Sequence, residues 1–399
     1  MRIDLIGIGS GAAWDLSKAA AKRLLEAELV IGASRVLEYL ELAKNCKCIA
    51  LVDPKMIIEQ IENSGCERIC IVYSGDTGFY SGAKSLLPYL NTVSAKIAVI
   101  PGISSMQLLA SELKRDWQDW HFYSAHGRQI DPILSVMQGG CSFFLTDSKE
   151  SPQWICRQLD EAGLGGVFAS VGVRLGYPDQ EIYRGTVSEL ARKEYESPAV
   201  LLVDEIPMSP YAKAVPGIAD DLFERGTVPM TKQEIRVLIL TKLGIAKEDV
   251  CWDVGAGTGS VSVEMALHAE EVWAVECNEE ACELIRTNRE KFCAWNLHIQ
   301  RGTAPVALEG LPTPDVVFIG GSKGHLSEII DRAVEKNPDC RILISAVTLE
   351  TIGRATACLE DRGYETEVTE IAVSRTVMRG AYHMLQAQNP IFLIAGRRK

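Results

Sequence analysis

The sequence predicts two consecutive α/β domains, the second built on a doubly wound parallel sheet. Short apolar runs alternate with longer amphipathic stretches along the chain, as strands alternate with helices in such domains. Glycine-rich turns follow several of the apolar runs, where the carboxyl edge of a parallel sheet is expected. The segment 206–217 contains three prolines and a glycine and interrupts both patterns. A chain of 399 residues has the length of two or three ordinary domains.

In the first domain, residues 1–208, nine strands are predicted from apolar runs bounded by turn residues. A polar stretch at 112–120 divides this domain into lobes of about 1–115 and 116–208, and 209–216 is the predicted linker. The predicted strands are Ile3–Ile6, Leu29–Ile31, Ile69–Tyr73, Lys96–Ile100, His121–Ser124, Ser142–Leu145, Val167–Val173, Ile182–Thr186 and Ala199–Val203.

In the second domain, residues 217–399, helical stretches separate most of the predicted strands, which favours a single doubly wound sheet. The predicted strands are Asp249–Val254, Glu271–Glu276, Leu297–Gln300, Asp315–Ile319, Arg341–Ala346, Glu365–Glu370 and Pro390–Ala395.

The composition narrows the function classes. Hydrophobic residues make up 47% and charged residues 24%, as in soluble globular proteins, and the formal net charge of -12 disfavours a nucleic-acid partner. No apolar run reaches the roughly 18 residues of a bilayer span. The beginning of the chain reads as a strand entering a glycine turn rather than a secretory leader. We therefore expect a cytoplasmic protein without a membrane partner.

The twelve cysteines predict no metal site. Their spacings, such as Cys46-x-Cys48 and Cys277-x4-Cys282, do not match the paired C-x-x-C pattern of zinc ribbons. We expect most of them to be small buried side chains in a reducing compartment.

A glycine turn in the second domain predicts a nucleotide-type pocket. The strand ending at Asp253 leads into Gly255-Ala-Gly257-Thr258-Gly259 and then a helical run. Glycines let the backbone approach a ligand and adopt positive φ. The next strand ends in Glu276, whose carboxylate can accept both hydroxyl protons of an adenosine ribose. The spacing differs from the dinucleotide G-x-G-x-x-G pattern.

This block resembles the class I S-adenosylmethionine methyltransferases. Three further segments are similar to the C-terminal domain of the precorrin-6Y C5,15-methyltransferase family: Gly217–Arg236, Arg301–Pro305 and Phe318–Ser322. The resemblance covers residue 217 to the end of the chain.

The resemblance implies roles for individual residues. Gly320 and Gly321 leave room for a flat macrocycle beside the reacting methyl group, or form a plain tight turn. Arg301 and Lys323, with Arg375 and Arg379, are candidate cations for the substrate carboxylates, or solvated surface charges. The implied cofactor-binding residues are Thr231, Asp253, Gly255, Gly257, Thr258, Gly259, Glu276, Thr303 and Ala304.

The first domain carries three loops that each follow a predicted strand: Gly7–Gly11, Tyr73–Gly82 and Ile100–Ser105. Together they resemble the two-lobed tetrapyrrole methylase family, and Ser124–Arg128 suggests its precorrin-6Y-type branch. The resemblance covers residues 1–206.

In that family S-adenosylmethionine lies between the lobes, and the first loop faces the macrocycle. The implied cofactor contacts are therefore Gly75, Asp76, Gly78, Ser104 and Ser105, and the implied substrate contacts are Gly9, Gly11 and Arg128. Asp76 orients cofactor or macrocycle, or stabilises its turn. His126 is a proton acceptor or hydrogen-bond donor, or a packed side chain.

The two resemblances imply one reaction. A precorrin-6B-type tetrapyrrole is methylated at C5 and C15 and loses the carboxyl group of its C12 acetate, giving precorrin-8 in cobalamin biosynthesis. One S-adenosyl-L-methionine is implied per domain, with C15 methylation and decarboxylation in the C-terminal domain and C5 methylation in the N-terminal domain. Relatives of both halves associate, so a homo-oligomer is expected.

Three alternatives stay open at this point. The chain could be an RNA or protein methyltransferase with an accessory domain, although Ile319-Gly-Gly-Ser lacks the Asn-Pro-Pro-aromatic turn of amino-group methylation. It could be a one-site enzyme with a scaffold half. A nicotinamide-dependent dehydrogenase is disfavoured by the loop spacing.

Overall fold

The computed structural model describes residues 1–10, 16–38, 40, 42–125, 129–212 and 215–398. The chain divides into two compact units, Met1–Glu161 with Gly165–Ile206, and Ala162–Leu164 with Pro207–Lys399. Within the described ranges, no helix has the length and apolar character needed to cross a bilayer. In the same ranges, no group of three or more His, Cys, Asp or Glu side chains is arranged to hold a metal ion.

The first unit begins with a parallel sheet flanked by helices. Its strands are β1 (Arg2–Gly7), β2 (Leu29–Gly32), β3 (Lys47–Ala50), β4 (Arg68–Tyr73) and β5 (Lys96–Ile100). Its helices are α1 (Lys18–Leu25), α2 (Ser34–Leu37), α3 (Pro54–Ser64), α4 (Ala83–Leu90) and α5 (Ser105–Leu113). The strand order is β3-β2-β4-β1-β5. Because buried layers cover both faces, β1, β2 and β4 are almost continuously buried.

The sequence reading missed β3. This strand lies at the sheet edge, and its side chains are mostly exposed, so it lacks the long apolar run that marks the inner strands. Short, polar edge strands of this kind carry little hydrophobic signal.

A second, mixed sheet completes the first unit. Its strands are β6 (Trp120–Ser124), β7 (Cys141–Leu145), β8 (Phe168–Val173), β9 (Glu181–Thr186) and β10 (Ala199–Val203). Its helices are α6 (Pro132–Val136), α7 (Pro152–Leu159) and α8 (Val187–Leu190). A π-helical turn at Asp160–Leu164 follows α7 in the chain. The order is β6-β7-β10-β8-β9, with β6 parallel to β7 and the other pairs antiparallel.

The second unit is a doubly wound sheet with one added hairpin. Its strands are β11 (Val250–Val254), β12 (Glu271–Glu276), β13 (Leu297–Arg301), β14 (Val316–Ile319), β15 (Arg341–Ala346), β16 (Glu365–Ile371), β17 (Ser374–Arg379), β18 (Tyr382–Ala387) and β19 (Ile391–Arg397). Its helices are α9 (Gln233–Leu243), α10 (Ser260–Ala266), α11 (Glu279–Lys291), α12 (Leu326–Lys336) and α13 (Leu349–Glu360), with 3-10 turns at Asp220–Leu222 and Val306–Leu308.

The strand order β13-β12-β11-β14-β15-β19-β16 places a switch point between β11 and β14. The first five strands are parallel, β19 runs antiparallel to β15, and buried apolar layers cover both faces. Ligands bind at the carboxyl ends of such strands, beside the switch point. This topology confirms the predicted α/β class with a doubly wound second domain.

The hairpin of β17 and β18 corrects the expectation of a single sheet in this unit. The two strands pair with each other in a separate sheet, and all six β18 side chains are exposed. Strands that bury so little apolar surface need no alternation of apolar and polar residues, so the sequence gives no strand signal here.

Candidate active site

The glycine turn after β11 packs against the loop after β14, and at Gly255 this contact leaves no space for a side chain. We call this arrangement the glycine cradle. Gly255, Gly257 and Gly259 have φ of 77°, 58° and 74°, in the left-handed region that favours glycine. A Cβ on Gly255 would lie 2.7 Å from the backbone N of Gly321, in the loop after β14. The two loops at the switch point therefore approach backbone to backbone.

Glu276, at the end of β12, is fixed by backbone donors. Its carboxylate accepts N–H groups from Gly257 at 3.0 Å, Cys277 at 2.8 Å and Asn278 at 2.9 Å. Burial by itself would raise the pKa of Glu276, but these N–H groups stabilise the anion and hold its pKa below the ordinary value. The ionised carboxylate keeps lone pairs for further donors such as ribose hydroxyls.

Asp253 is a buried acid with spare hydrogen-bonding capacity. Its side chain is 1% exposed, and the Ser262 hydroxyl donates to Oδ2. Burial raises the pKa of Asp253 to about 7; the Ser262 hydrogen bond opposes the rise and the Glu276 carboxylate adds to it. Oδ1 of Asp253 and Oγ1 of Thr258 have no hydrogen-bond partner among the described residues. Buried polar atoms without partners are uncommon, so both fit a ligand that brings donors and acceptors to this turn.

A cavity of about 170 Å³ lies at this carboxyl edge. The predicted residues that line it are Gly255, Glu276, Thr303, Ala304, Gly321 and Lys323. Its apolar wall includes Val254 and Val275, and Cys277 lies beside Glu276. The carboxylate of Glu276, the apolar wall and the glycine turn are the kinds of groups that an adenosine moiety would need.

A second cavity of about 190 Å³ lies at the ends of β14 and β15. Gly320 lines it, and Gly321 and Ser322 line both cavities. A Cβ on Gly320 would lie 3.2 Å from the carbonyl oxygen of Gly255, so this glycine also permits the close approach of the two loops.

The other predicted residues of this unit lie outside the first cavity. Thr231 is half-buried, and its carbonyl oxygen accepts a hydrogen bond from Arg236. The exposed Arg301 pairs with Glu279, its Nη2 lying 3.2 Å from Oε2. Lys323, by contrast, projects its Nζ to 2.9 Å from Sγ of Cys277 at the cavity rim.

The sequence analysis missed a partly buried ion cluster that links α9 to α10. Arg236 is fully buried and donates to the carboxylates of Glu264 and Asp220, and Arg375 pairs with Asp220 and Glu234. Arg375 was a candidate cation for substrate, but these two carboxylates already neutralise it. The sequence does offer one signal, because Glu264 is the single charged residue in the helical run Ser260–Ala266.

Asn288 is a second missed residue. It is fully buried, and its amide donates to the carbonyl oxygen of Thr258 at 3.0 Å and to that of Glu224 at 3.1 Å. It therefore holds the end of the glycine turn against the segment that precedes α9. Nothing in its local sequence distinguishes it from an exposed helical asparagine.

In the first unit, three glycine loops meet at the carboxyl edge of the parallel sheet. Gly9 and Gly75 exchange two backbone hydrogen bonds, of 3.1 and 2.7 Å. A Cβ on Gly7 would lie 2.6 Å from the backbone N of Gly102, and one on Gly102 would overlap the carbonyl oxygen of Gly75. The three loops therefore converge at one edge of this sheet.

Asp76 joins two of these loops. Its Oδ1 accepts the N–H of Gly78 at 2.8 Å, and its Oδ2 accepts the N–H of Gly102 at 3.2 Å. Both oxygens are thus engaged in backbone contacts, which favours a loop-positioning role for Asp76.

Ser104 caps helix α5. Its hydroxyl accepts the N–H of Gln107 at 3.3 Å, and its own N–H donates to the Gln107 side chain at 2.9 Å. This capping box leaves the Ser104 side chain occupied in the helix cap. Ser105, the first residue of the helix, is half-buried beside it. Gly11, His126 and Arg128 lie outside the described residues.

Two family models match the chain. The model of the tetrapyrrole (corrin/porphyrin) methylases matches residues 2–191, and that of the precorrin methyltransferase domain matches residues 221–397.

Named relatives match one or both halves. A cobalt-precorrin-6B C(15)-methyltransferase (decarboxylating) of Salmonella typhimurium is 39% identical over 44% of this chain and 93% of its own length. A precorrin-6Y C(5,15)-methyltransferase [decarboxylating] of Sinorhizobium sp is 28% identical over 87% of this chain and 85% of its own. A crystal structure of precorrin-6y C5,15-methyltransferase from Geobacter metallireducens is 40% identical, covering 47% of this chain and 98% of that one, with a TM-score of 0.44.

Proposed function

The chain belongs to the precorrin methyltransferases, and a tetrapyrrole methylase region precedes its precorrin methyltransferase domain. We therefore propose that the protein is a decarboxylating C5,15-methyltransferase. The substrate is a precorrin-6B-type tetrapyrrole and the product is precorrin-8, in cobalamin biosynthesis. The similarity to the Sinorhizobium enzyme over 87% of this chain carries this conclusion, because that relative's name includes both methylations and the decarboxylation.

Each unit binds its own S-adenosyl-L-methionine, which supplies an electrophilic methyl group when bound. In the second unit, Glu276 accepts the ribose hydroxyls and the glycine turn receives the remainder of the ligand. Thr303 and Ala304 contact the adenine. The unpartnered oxygens of Asp253 and Thr258 and the cradle at Gly255 support this assignment.

In the first unit, the loops at Gly75–Gly78 and Ser104–Ser105 bind the second cofactor molecule. Gly9 lies hydrogen-bonded beside Gly75 and faces the macrocycle. Asp76 acts through the loops, since its oxygens hold Gly78 and Gly102 in place.

The residues of both sites align reactants rather than exchange protons. Holding reactants in the right orientation lowers the activation barrier by roughly 7–11 kcal/mol. A rigid set of glycine loops can therefore contribute much of the rate enhancement. Gly320 and Gly321 leave space for a flat ring beside the cofactor. Lys323 binds a substrate carboxylate from the cavity rim, whereas Arg301 must first leave Glu279 to do so.

The second unit carries C15 methylation and decarboxylation, and the first unit carries C5 methylation. The C(15)-methyltransferase of Salmonella typhimurium supports this division, since its name includes C15 methylation and decarboxylation and relatives of this name match the C-terminal half of the chain.

A matched pair of variants tests the division in the full-length chain. Gly75 and Gly257 both have positive φ, and at neither would a new Cβ approach another atom closer than 3.4 Å. Aspartate tolerates this backbone region better than most residues and adds a charge to the cofactor loop. Mass spectrometry should show C15 methylation and carbon dioxide loss in Gly75→Asp, and neither in Gly257→Asp. Loss of decarboxylation in Gly75→Asp alone would contradict the division.

A further inference from the structure

The second cavity of the C-terminal unit has a lining without charge. The apolar residues that line it are Ile319, Leu326, Ile344, Ala346 and Val347, and three of its other lining residues carry hydroxyl groups. The hydroxyls belong to Ser322, Ser345 and Thr351. None of the residues that line this cavity in the described structure is a Lys, Arg, His, Asp or Glu.

The two cavities are neighbours across a wall without bulky side chains. Gly321 and Ser322 line both, and Gly320 lines the second. A ring lying over Gly320 and Gly321 can therefore turn one edge toward the first cavity and direct a side arm into the second.

The two cavities differ in the charged groups that line them, so they favour different substrate carboxylates. The first cavity is lined by the carboxylate of Glu276 and by Lys323, whose ammonium group can stabilise a substrate carboxylate that has to persist. A carboxylate placed in the second cavity meets hydroxyls and apolar walls. Moving an anion from water to such a site, without a cation, disfavours the charged ground state.

We propose that the second cavity is the decarboxylation subsite and receives the C12 acetate arm of the tetrapyrrole. This inference rests on the proposed function, and it assigns the decarboxylation step to the second cavity. The bond between the acetate methylene carbon and its carboxyl carbon breaks, and carbon dioxide leaves. The electron pair of that bond enters the conjugated ring system, and the methylene carbon then takes a proton from water, so the arm becomes a methyl group.

Val347 offers a test at the rim of this cavity. Its side chain is 69% exposed, so a longer residue can be placed there without disturbing the core. Val347→Lys brings an ammonium group to the proposed subsite, and Val347→Met is the control of similar length without the charge. Both variants are made in the full-length chain, and S-adenosylmethionine and the tetrapyrrole are supplied.

Carbon dioxide release and product mass are measured in parallel. In Val347→Lys we expect decarboxylation to slow roughly tenfold to a hundredfold, the factor expected from one charge-assisted hydrogen bond to the ground-state carboxylate. Methylation continues, so a methylated product that retains its acetate accumulates. Val347→Met gives the effect of the longer side chain alone, and the slowing in Val347→Lys is measured relative to it.

Each other outcome overturns the assignment. Normal carbon dioxide release in Val347→Lys means that the acetate lies elsewhere. Equal loss in both variants means that bulk rather than charge matters, and joint loss of methylation and decarboxylation in Val347→Lys means that the cavity is not a separate subsite. An unaltered enzyme that neither methylates nor decarboxylates the tetrapyrrole would contradict the proposed function itself.

Discussion

Replacing Asp253 by asparagine tests the electrostatics of the glycine turn after β11. The pKa of this buried acid is raised from 3.8 to about 7, chiefly by burial. Each pKa unit corresponds to 1.36 kcal/mol, so keeping the ionised carboxylate in the fold costs about 4 kcal/mol. Asparagine has nearly the same shape, carries no ionisable proton, and its amide oxygen can still accept the hydroxyl of Ser262.

The raised pKa of Asp253 determines whether stability rises or falls with pH. Between pH 4 and pH 7 the folded chain retains a proton that the unfolded chain has lost, so stability falls as pH rises through this window. Asp253→Asn removes this dependence. The variant and the natural chain should have nearly equal free energies of unfolding near pH 4. At pH 8 the variant's second unit should be more stable by up to about 4 kcal/mol.

Urea unfolding of the full-length chain without cofactor, fitted with one transition for each unit, measures this difference. The exposed Asp221 supplies a control, because Asp221→Asn makes the same change in net charge outside the site. Its profile should follow that of the natural chain. Parallel pH profiles for Asp253→Asn and the natural chain would refute the reasoning.

Three further changes have defined outcomes. Arg236→Met leaves the buried carboxylate of Glu264 without its cation and should lower the free energy of unfolding by about 3–5 kcal/mol; an unchanged urea midpoint would argue against the buried pair. Glu276→Gln should weaken S-adenosylmethionine binding by calorimetry roughly tenfold to a hundredfold, and equal affinity would remove Glu276 from the site. In Gly255→Ala the new methyl group overlaps Gly321, so C15 methylation should be lost in a folded chain, whereas full turnover would show that the loops can separate.

Most strands of the two parallel sheets could be predicted from the sequence because these strands are buried on both faces. The runs ending at Tyr73, Val254 and Ile319 are mostly apolar, and each is followed by a glycine turn. The strands β3, β17 and β18 could not be predicted in this way. They are largely exposed, and their pairing depends on chain segments that contribute little hydrophobic signal.

The candidate site shows the same division. A glycine turn and an acid at the next strand end are local patterns, and they led to Gly255 and Glu276. The partners of Arg236 are remote in sequence, 28 positions away in the case of Glu264, so only the fold brings them together. Likewise, the sequence could not indicate that Arg375 is already neutralised by Asp220 and Glu234.

The number of S-adenosylmethionine molecules bound by one chain tests the central claim most directly. Isothermal titration of the full-length protein should give two sites, and Gly75→Asp and Gly257→Asp should each retain one. A single site in the natural chain, or the loss of both sites in either variant, would contradict an enzyme with an independent methyl donor in each unit.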